Sequence, residues 1–145
     1  CAFEEEISCQ VELTKSENVA KSKDSIAEAG LSLFMDENHH YDIFITKEEN
    51  DFYANSRLCI GQAESVKEKI KLETNKASFK IFANAYCYQL FLQTEKDLIL
   101  LAQAETRYLS SEVAGGFTGV YLGFYAVDSD SSSVATFTNL SVKNK

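Results

Sequence analysis

Apolar residues recur at every second position through most of this chain. Ile7, Cys9, Val11 and Leu13 alternate with Ser8, Gln10 and Glu12, which predicts a strand with one face in a core and the other in water. The stretch from Lys15 to Glu28 is polar and has the composition of a loop. Ala29-Gly30-Leu31-Ser32-Leu33-Phe34-Met35 predicts a second strand, broken at Asp36-Glu37-Asn38, and Tyr41, Ile43 and Ile45 then alternate as its hairpin partner. Phe52, Ala54, Leu58 and Ile60 share one parity until Gly61-Gln62-Ala63-Glu64 interrupts them. Val66, Ile70 and Leu72 follow, with Lys and Glu between them. Lys67-Glu68-Lys69 would also suit a helix, but the segment is read here as one strand. Phe79, Ile81, Ala83 and Ala85 predict a further strand, with a turn at Asn84; Tyr86 to Leu92 and Leu98 to Ala102 predict two more.

The glycine hinge Gly115-Gly116 allows a sharp turn, and Ser110 to Ala114 before it suits a single helical turn that a serine can cap. From Val120, the residues Val120, Leu122 and Phe124 alternate with Tyr121, Gly123 and Tyr125. Both faces are apolar, so a central strand covered on both sides is expected, with Gly123 leaving room for a close neighbour. Ala135, Phe137 and Asn139 mark the last strand. Short strands at regular spacing with almost no helix predict an all-β, two-sheet antiparallel sandwich. No fixed repeat is present, which argues against a propeller or solenoid.

Composition narrows the function. With 45% hydrophobic residues, the 145-residue chain can fill one core and is read as one domain over residues 1–145. The balance of 14 basic against 22 acidic residues gives a net charge of -8, which repels phosphate backbones, so no nucleic-acid partner is expected. No apolar run approaches a membrane span, and the N-terminus lacks a basic-then-apolar signal pattern, so no membrane partner is expected either. Cys1, Cys9, Cys59 and Cys87 form no C-x-x-C pair, and the last three, within alternating apolar runs, read as buried free thiols. His39 and His40 with Asp36 and Asp42 match no standard ligand spacing, and neighbouring residues on a strand point to opposite faces. Neither a metal nor a cofactor is expected.

The ordered segments Glu28-Ala29-Gly30-Leu31-Ser32-Leu33-Phe34, Asp36-Glu37-Asn38-His39-His40-Tyr41, Tyr88-Gln89-Leu90-Phe91 and Tyr108-Leu109-Ser110-Ser111-Glu112-Val113-Ala114-Gly115-Gly116-Phe117-Thr118-Gly119 carry a resemblance. Together with Val120 to Asp128, they resemble the C-terminal β-sandwich of glycoside hydrolase family 43 β-xylosidases, a concanavalin A-like jelly roll. The chain departs from that pattern at Thr138, where the family has an aspartate, and around Leu98 or Ile99, where it has a tryptophan.

The resemblance implies a role without catalysis. In the family, hydrolysis belongs to a separate five-bladed propeller with three acids, which needs on the order of 200 residues, more than this chain can hold beside a sandwich. No catalytic residue is therefore assigned. The implied partner is the catalytic β-propeller of the same parent chain, which can also make the protein a homo-oligomer. Phe117, flanked by Gly116 and Thr118, is the implied contact with that propeller and its substrate pocket. From the residues alone, Phe117 serves equally well as a core plug. Acid runs such as Glu4-Glu5-Glu6 and Glu48-Glu49 with Asp51 read as solvated, and Glu112 as a helix-turn charge, so an independent hydrolase ranks third. The alternative is a carbohydrate-binding module for xylooligosaccharides, with Tyr121 and Tyr125 as candidate contacts and Tyr41, Tyr53, Tyr86 and Tyr88 as further rings. The absence of tryptophan, the largest stacking surface, weighs against it.

Overall fold

The computed structural model describes residues 5–15, 27–48, 51–61, 63–66, 69–84, 86–105, 121–128 and 133–144. In chain order the strands are β1 (Glu5–Lys15), β2 (Ala27–Asp36), β3 (His39–Glu48), β4 (Asp51–Ile60), β5 (Ala63–Val66), β6 (Ile70–Leu72), β7 (Lys76–Ala83), β8 (Cys87–Gln93), β9 (Leu98–Glu105), β10 (Tyr121–Asp128) and β11 (Ser133–Asn144). They form two antiparallel sheets, one in the order β11-β1-β7-β8-β9 and the other in the order β10-β2-β3-β4-β5 with β6 also on β4. This is the expected all-β sandwich of concanavalin A type.

The predicted alternation is what fills the space between the sheets. In the β1 sheet, Ile7, Cys9, Val11 and Leu13 stand beside Ala77, Phe79, Ile81 and Ala83, and these beside Tyr88, Leu90 and Leu92, all buried. In the facing sheet, Ala27, Ala29, Leu31 and Leu33 stand beside Tyr41, Ile43 and Ile45. Each fully buried Leu or Ile is worth about 1.5–3 kcal/mol over an exposed one. Ser56 is the polar exception in the inward row of β4. Its hydroxyl donates across the sandwich to the Leu101 carbonyl, 3.1 Å away. Leu101 is the extra residue where the β8–β9 register shifts, so a side chain from the opposite sheet satisfies a carbonyl displaced by the bulge. Tyr41 makes a second cross-sheet bond, from Oη to the Glu105 carbonyl at 2.8 Å. Cys9 and Cys59 are buried free thiols as expected, and Cys87 is half-buried.

Several expectations are corrected. Among the described residues β10 is not central: it pairs only with β2 and is the last strand of its sheet, with Phe124 44% and Val127 58% exposed. Its apolar sequence reflects facing the other sheet's edge, where the Phe124 and Phe137 rings meet at 4.8 Å, rather than cover on both sides. The segment from Val66 to Leu72 is not one strand. β5 and β6 pair with opposite ends of β4, Val66 against Arg57 and Ile70 against Ala54. Asn139 does not continue the alternation of β11; it has φ +56° where the β1–β11 register shifts, a backbone position that asparagine tolerates. Ala85 and the turn from Ser110 to Ala114 lie outside the described residues.

The glycine that accepts a close neighbour is Gly30, not Gly123. A Cβ at Gly123 would meet nothing within 4 Å, whereas one at Gly30 would lie 2.1 Å from the Ile43 carbonyl oxygen and 2.5 Å from Phe44 Cα. Gly30 pairs with Phe44 on one side and Tyr125 on the other, and those two rings approach to 6.5 Å over the missing side chain. Gly30→Ala should therefore destabilise the fold by about 3 kcal/mol or prevent folding, because backbone must move. Gly123→Ala should be neutral or stabilise by roughly 0.5–1 kcal/mol, through lost unfolded-state freedom. Urea unfolding of the two variants checks both signs.

Candidate functional site on the outer face of the β3 sheet

Residues directly opposite one another share a face, so the register sets the outer surface of the β3 sheet row by row. One row reads Gly123, Ser32, Asp42 and Arg57; the next reads Tyr125, Gly30, Phe44 and Asn55; beyond it lie Val127, Glu28, Thr46 and Tyr53. On the other side, Phe34 and His40 stand beside Cys59.

Arg57 gathers this surface. Its side chain crosses the Phe44 ring, 4.6 Å from guanidinium carbon to centroid, to reach Glu28. There it makes a two-pronged bond, Nη2 to Oε1 at 2.7 Å and Nη1 to Oε2 at 3.2 Å. Nη1 also donates to Asp42 Oδ2 at 3.2 Å, and Nε lies 3.6 Å from Glu64 Oε1. The hydrogen bonds to Glu28 hold the guanidinium pKa above its ordinary value, against the opposing effect of burial. Asp42, 3% exposed, also accepts from Ser32 Oγ at 2.6 Å and His40 Nδ1 at 2.9 Å. The His40 ring stacks with Phe34 at 6.1 Å. A buried carboxylate is tolerable here because three donors converge on it.

Tyr125 closes one side of the cluster. Its Oη is buried without a hydrogen bond of normal geometry. Burial first, then the nearby Glu28 and Asp42 carboxylates, raise the phenol pKa above its ordinary value. Such an arrangement can brace a sheet, but it offers no carboxyl free for acid–base work. The other described acid runs are engaged as well, Glu48 with Lys69, Asp51 with Lys71 at 3.7 Å, and Glu6 with Lys80 at 3.4 Å. Among the described residues no three His, Cys, Asp or Glu side chains come together to hold a metal ion, and no helix is long and apolar enough to cross a membrane.

Of the residues singled out in the sequence, Tyr121 and Tyr125 both lie on β10. Gly116, Phe117 and Thr118, and with them Glu112, lie outside the described residues. Tyr121 opens β10 opposite Phe34, and Tyr125 is two pairs further along that face. The other tyrosines scatter. Tyr41 and Tyr88 are in the core, with ring centroids 5.9 Å apart; Tyr53 lies under Lys69; and Tyr86 is 77% exposed before β8. Arg57 and Glu28, the centre of the cluster, carried no signal beyond being opposite charges on alternating segments.

Residues 6–143 match the family described as "Beta xylosidase C-terminal Concanavalin A-like domain". The chain is 33% identical over 106 residues to the non-reducing end α-L-arabinofuranosidase BoGH43B of Bacteroides ovatus, a match spanning 68% of this chain and 19% of that protein. Among solved structures, the Bacteroides ovatus xyloglucan PUL GH43B superposes with a TM-score of 0.76 at 27% identity, covering 99% of this chain and 28% of the other. BlXynB of Bacillus licheniformis, at 16% identity, gives the same TM-score of 0.76 and the same coverage, a likeness of fold. The chain thus spans between a fifth and a third of the length of these relatives.

Removing Arg57 would leave two carboxylates facing each other in a poorly hydrated place. Arg57→Met should cost about 3 kcal/mol in urea unfolding, the lower end of the range for breaking a buried pair because 21% of the side chain reaches solvent. A second expectation concerns alkali. Burial pushes the Tyr88 phenol from 10.0 up to about 12 in the folded chain, whereas the unfolded chain releases that proton near the ordinary value. Stability should therefore be full below about pH 10 and fall as pH rises, with Tyr88 contributing a loss of roughly 1 kcal/mol by pH 11. Tyr88→Phe should flatten that fall, as read from unfolding midpoints at pH 9 and pH 11.

Proposed function

Because the chain belongs to the β-xylosidase C-terminal concanavalin A-like domain family, we propose that it is a non-catalytic accessory module of a larger family 43 glycoside hydrolase. In this reading it packs on the catalytic β-propeller of the same parent chain and helps to close the active-site pocket. The observation that carries it is a family match over nearly the whole chain to proteins several times longer. The chemistry agrees, since the acids of the outer face are neutralised by Arg57 and none of them is free to act on a sugar.

The pocket contact is assigned to Gly116, Phe117 and Thr118. A phenyl ring between small or flexible neighbours can stack on a sugar face and keep water from the reacting bond. The Bacteroides ovatus relative is named for arabinofuranosidase activity, so the parent's substrate is expected to be a terminal arabinofuranosyl or xylosyl unit. The independent glycan-binding alternative is disfavoured because Tyr41 and Tyr88 are core residues, the Tyr125 hydroxyl is buried, and the chain has no tryptophan.

Phe117→Ala in the full-length parent should lower kcat/KM about tenfold, roughly 1.4 kcal/mol of transition-state stabilisation. Substrates for the assay are p-nitrophenyl α-L-arabinofuranoside, the matching β-D-xyloside and xylobiose. Unchanged kinetics on all three, with the protein folded, would remove pocket closure from the role of this module.

A further inference from the structure

β10 and β11 are edge strands of opposite sheets, and they meet along one side of the sandwich. The Phe124–Phe137 ring contact at 4.8 Å is the seal between them. Moving away from that seal, three residues back along β10 is Tyr121 and three forward along β11 is Leu140, so both lead to the same end. There β11, with twelve residues, runs on past the eight described residues of β10. Val142 sits opposite Ile7, an inward position on β1, yet it is 54% exposed, and Leu140 is 50% exposed. Both apolar side chains are thus half exposed at this end of the sandwich, and among the described residues no strand beyond β10 lies beside them. The β10 edge beside them carries no charge and no proline from Tyr121 to Val127, the devices by which edge strands usually avoid new partners.

We infer that Leu140, Val142 and the exposed flank of Phe124 form the seat on which the catalytic domain of the parent chain rests, which deepens the proposed function and depends on it. Three observations favour that occupant. Relatives carry several times this chain's length beside the equivalent module, so a large neighbour is available. The end that carries Leu140 and Val142 is also the end at which β10 begins, and the proposed contact residues Gly116, Phe117 and Thr118 come shortly before β10 in the sequence. A second copy is opposed by a net charge of -8 on each chain. The other apolar pair, Leu98 and Leu100, is 41% and 48% exposed but lies on β9, at the far edge of the β1 sheet, and so serves as an internal reference.

The test places single cysteines in the full-length parent, in a Cys87→Ser background, as Leu140→Cys, Val142→Cys and Leu100→Cys. The rate of maleimide labelling at each site is followed by peptide mass spectrometry. The two β11 positions should react at least about tenfold more slowly than position 100, equally at low and high protein concentration, because reaction there requires local opening. Equal rates at all three sites would overturn the inference, as would protection that disappears on dilution, which would mean a second copy. The two β11 variants are independent, so one misfolding leaves the other to decide. Labelling that shows a covered seat while Phe117→Ala kinetics stay normal would refute pocket closure alone; open sites with altered Phe117→Ala kinetics would refute the seat alone.

Discussion

A sheet buried on one face still has to manage the other, and here that falls to Arg57. Its guanidinium joins Glu28 on β2, Asp42 on β3 and Glu64 on β5 to its own strand, while the Phe44 ring supports it from below. Bonds between residues on different strands resist shear of the sheet in a way that backbone ladders alone do not. Every carboxylate in the cluster faces a cation, and Asp42, the most deeply buried, collects two further donors. Without the guanidinium the same surface would hold mutually repelling carboxylates beside the buried Tyr125 phenol.

The neighbouring glycine belongs to the same design. Gly30 sits between Phe44 and Tyr125, and the space it leaves lets those rings approach from two adjacent strands. β10 is thereby held to β2 by side chains on its outer face and to the other sheet by Phe124 on its inner face. An edge strand fixed on both sides can carry the segment that precedes it at a defined position. That is the physical use of the sandwich in the proposed role: it supplies a rigid sheet rather than a reacting group.

The pairing of the carboxylates around Arg57 fits this division of labour. Glycoside hydrolysis needs two carboxyls in different environments, one able to give a proton and one able to act as base or nucleophile. Glu28 is held by Arg57, Glu48 by Lys69 and Glu6 by Lys80, which keeps these carboxylates as acceptors.

The sequence by itself determined the strands and which of their faces turn inward, because side-chain direction has a period of two and the apolar residues keep to it. Ile7 to Leu13, Tyr41 to Ile45 and Phe79 to Ala83 lie buried where their parity put them. Only the tertiary structure decided the order of strands within each sheet, since alternation says nothing about which strands become neighbours. For that reason β10, apolar on both faces, read as central and proved to be an edge, and Val66 to Leu72 divided into β5 and β6 at the two ends of β4. The Arg57 cluster was illegible for the same cause: Glu28, Asp42 and Arg57 are far apart in the chain, and register alone brings their charges within bonding distance.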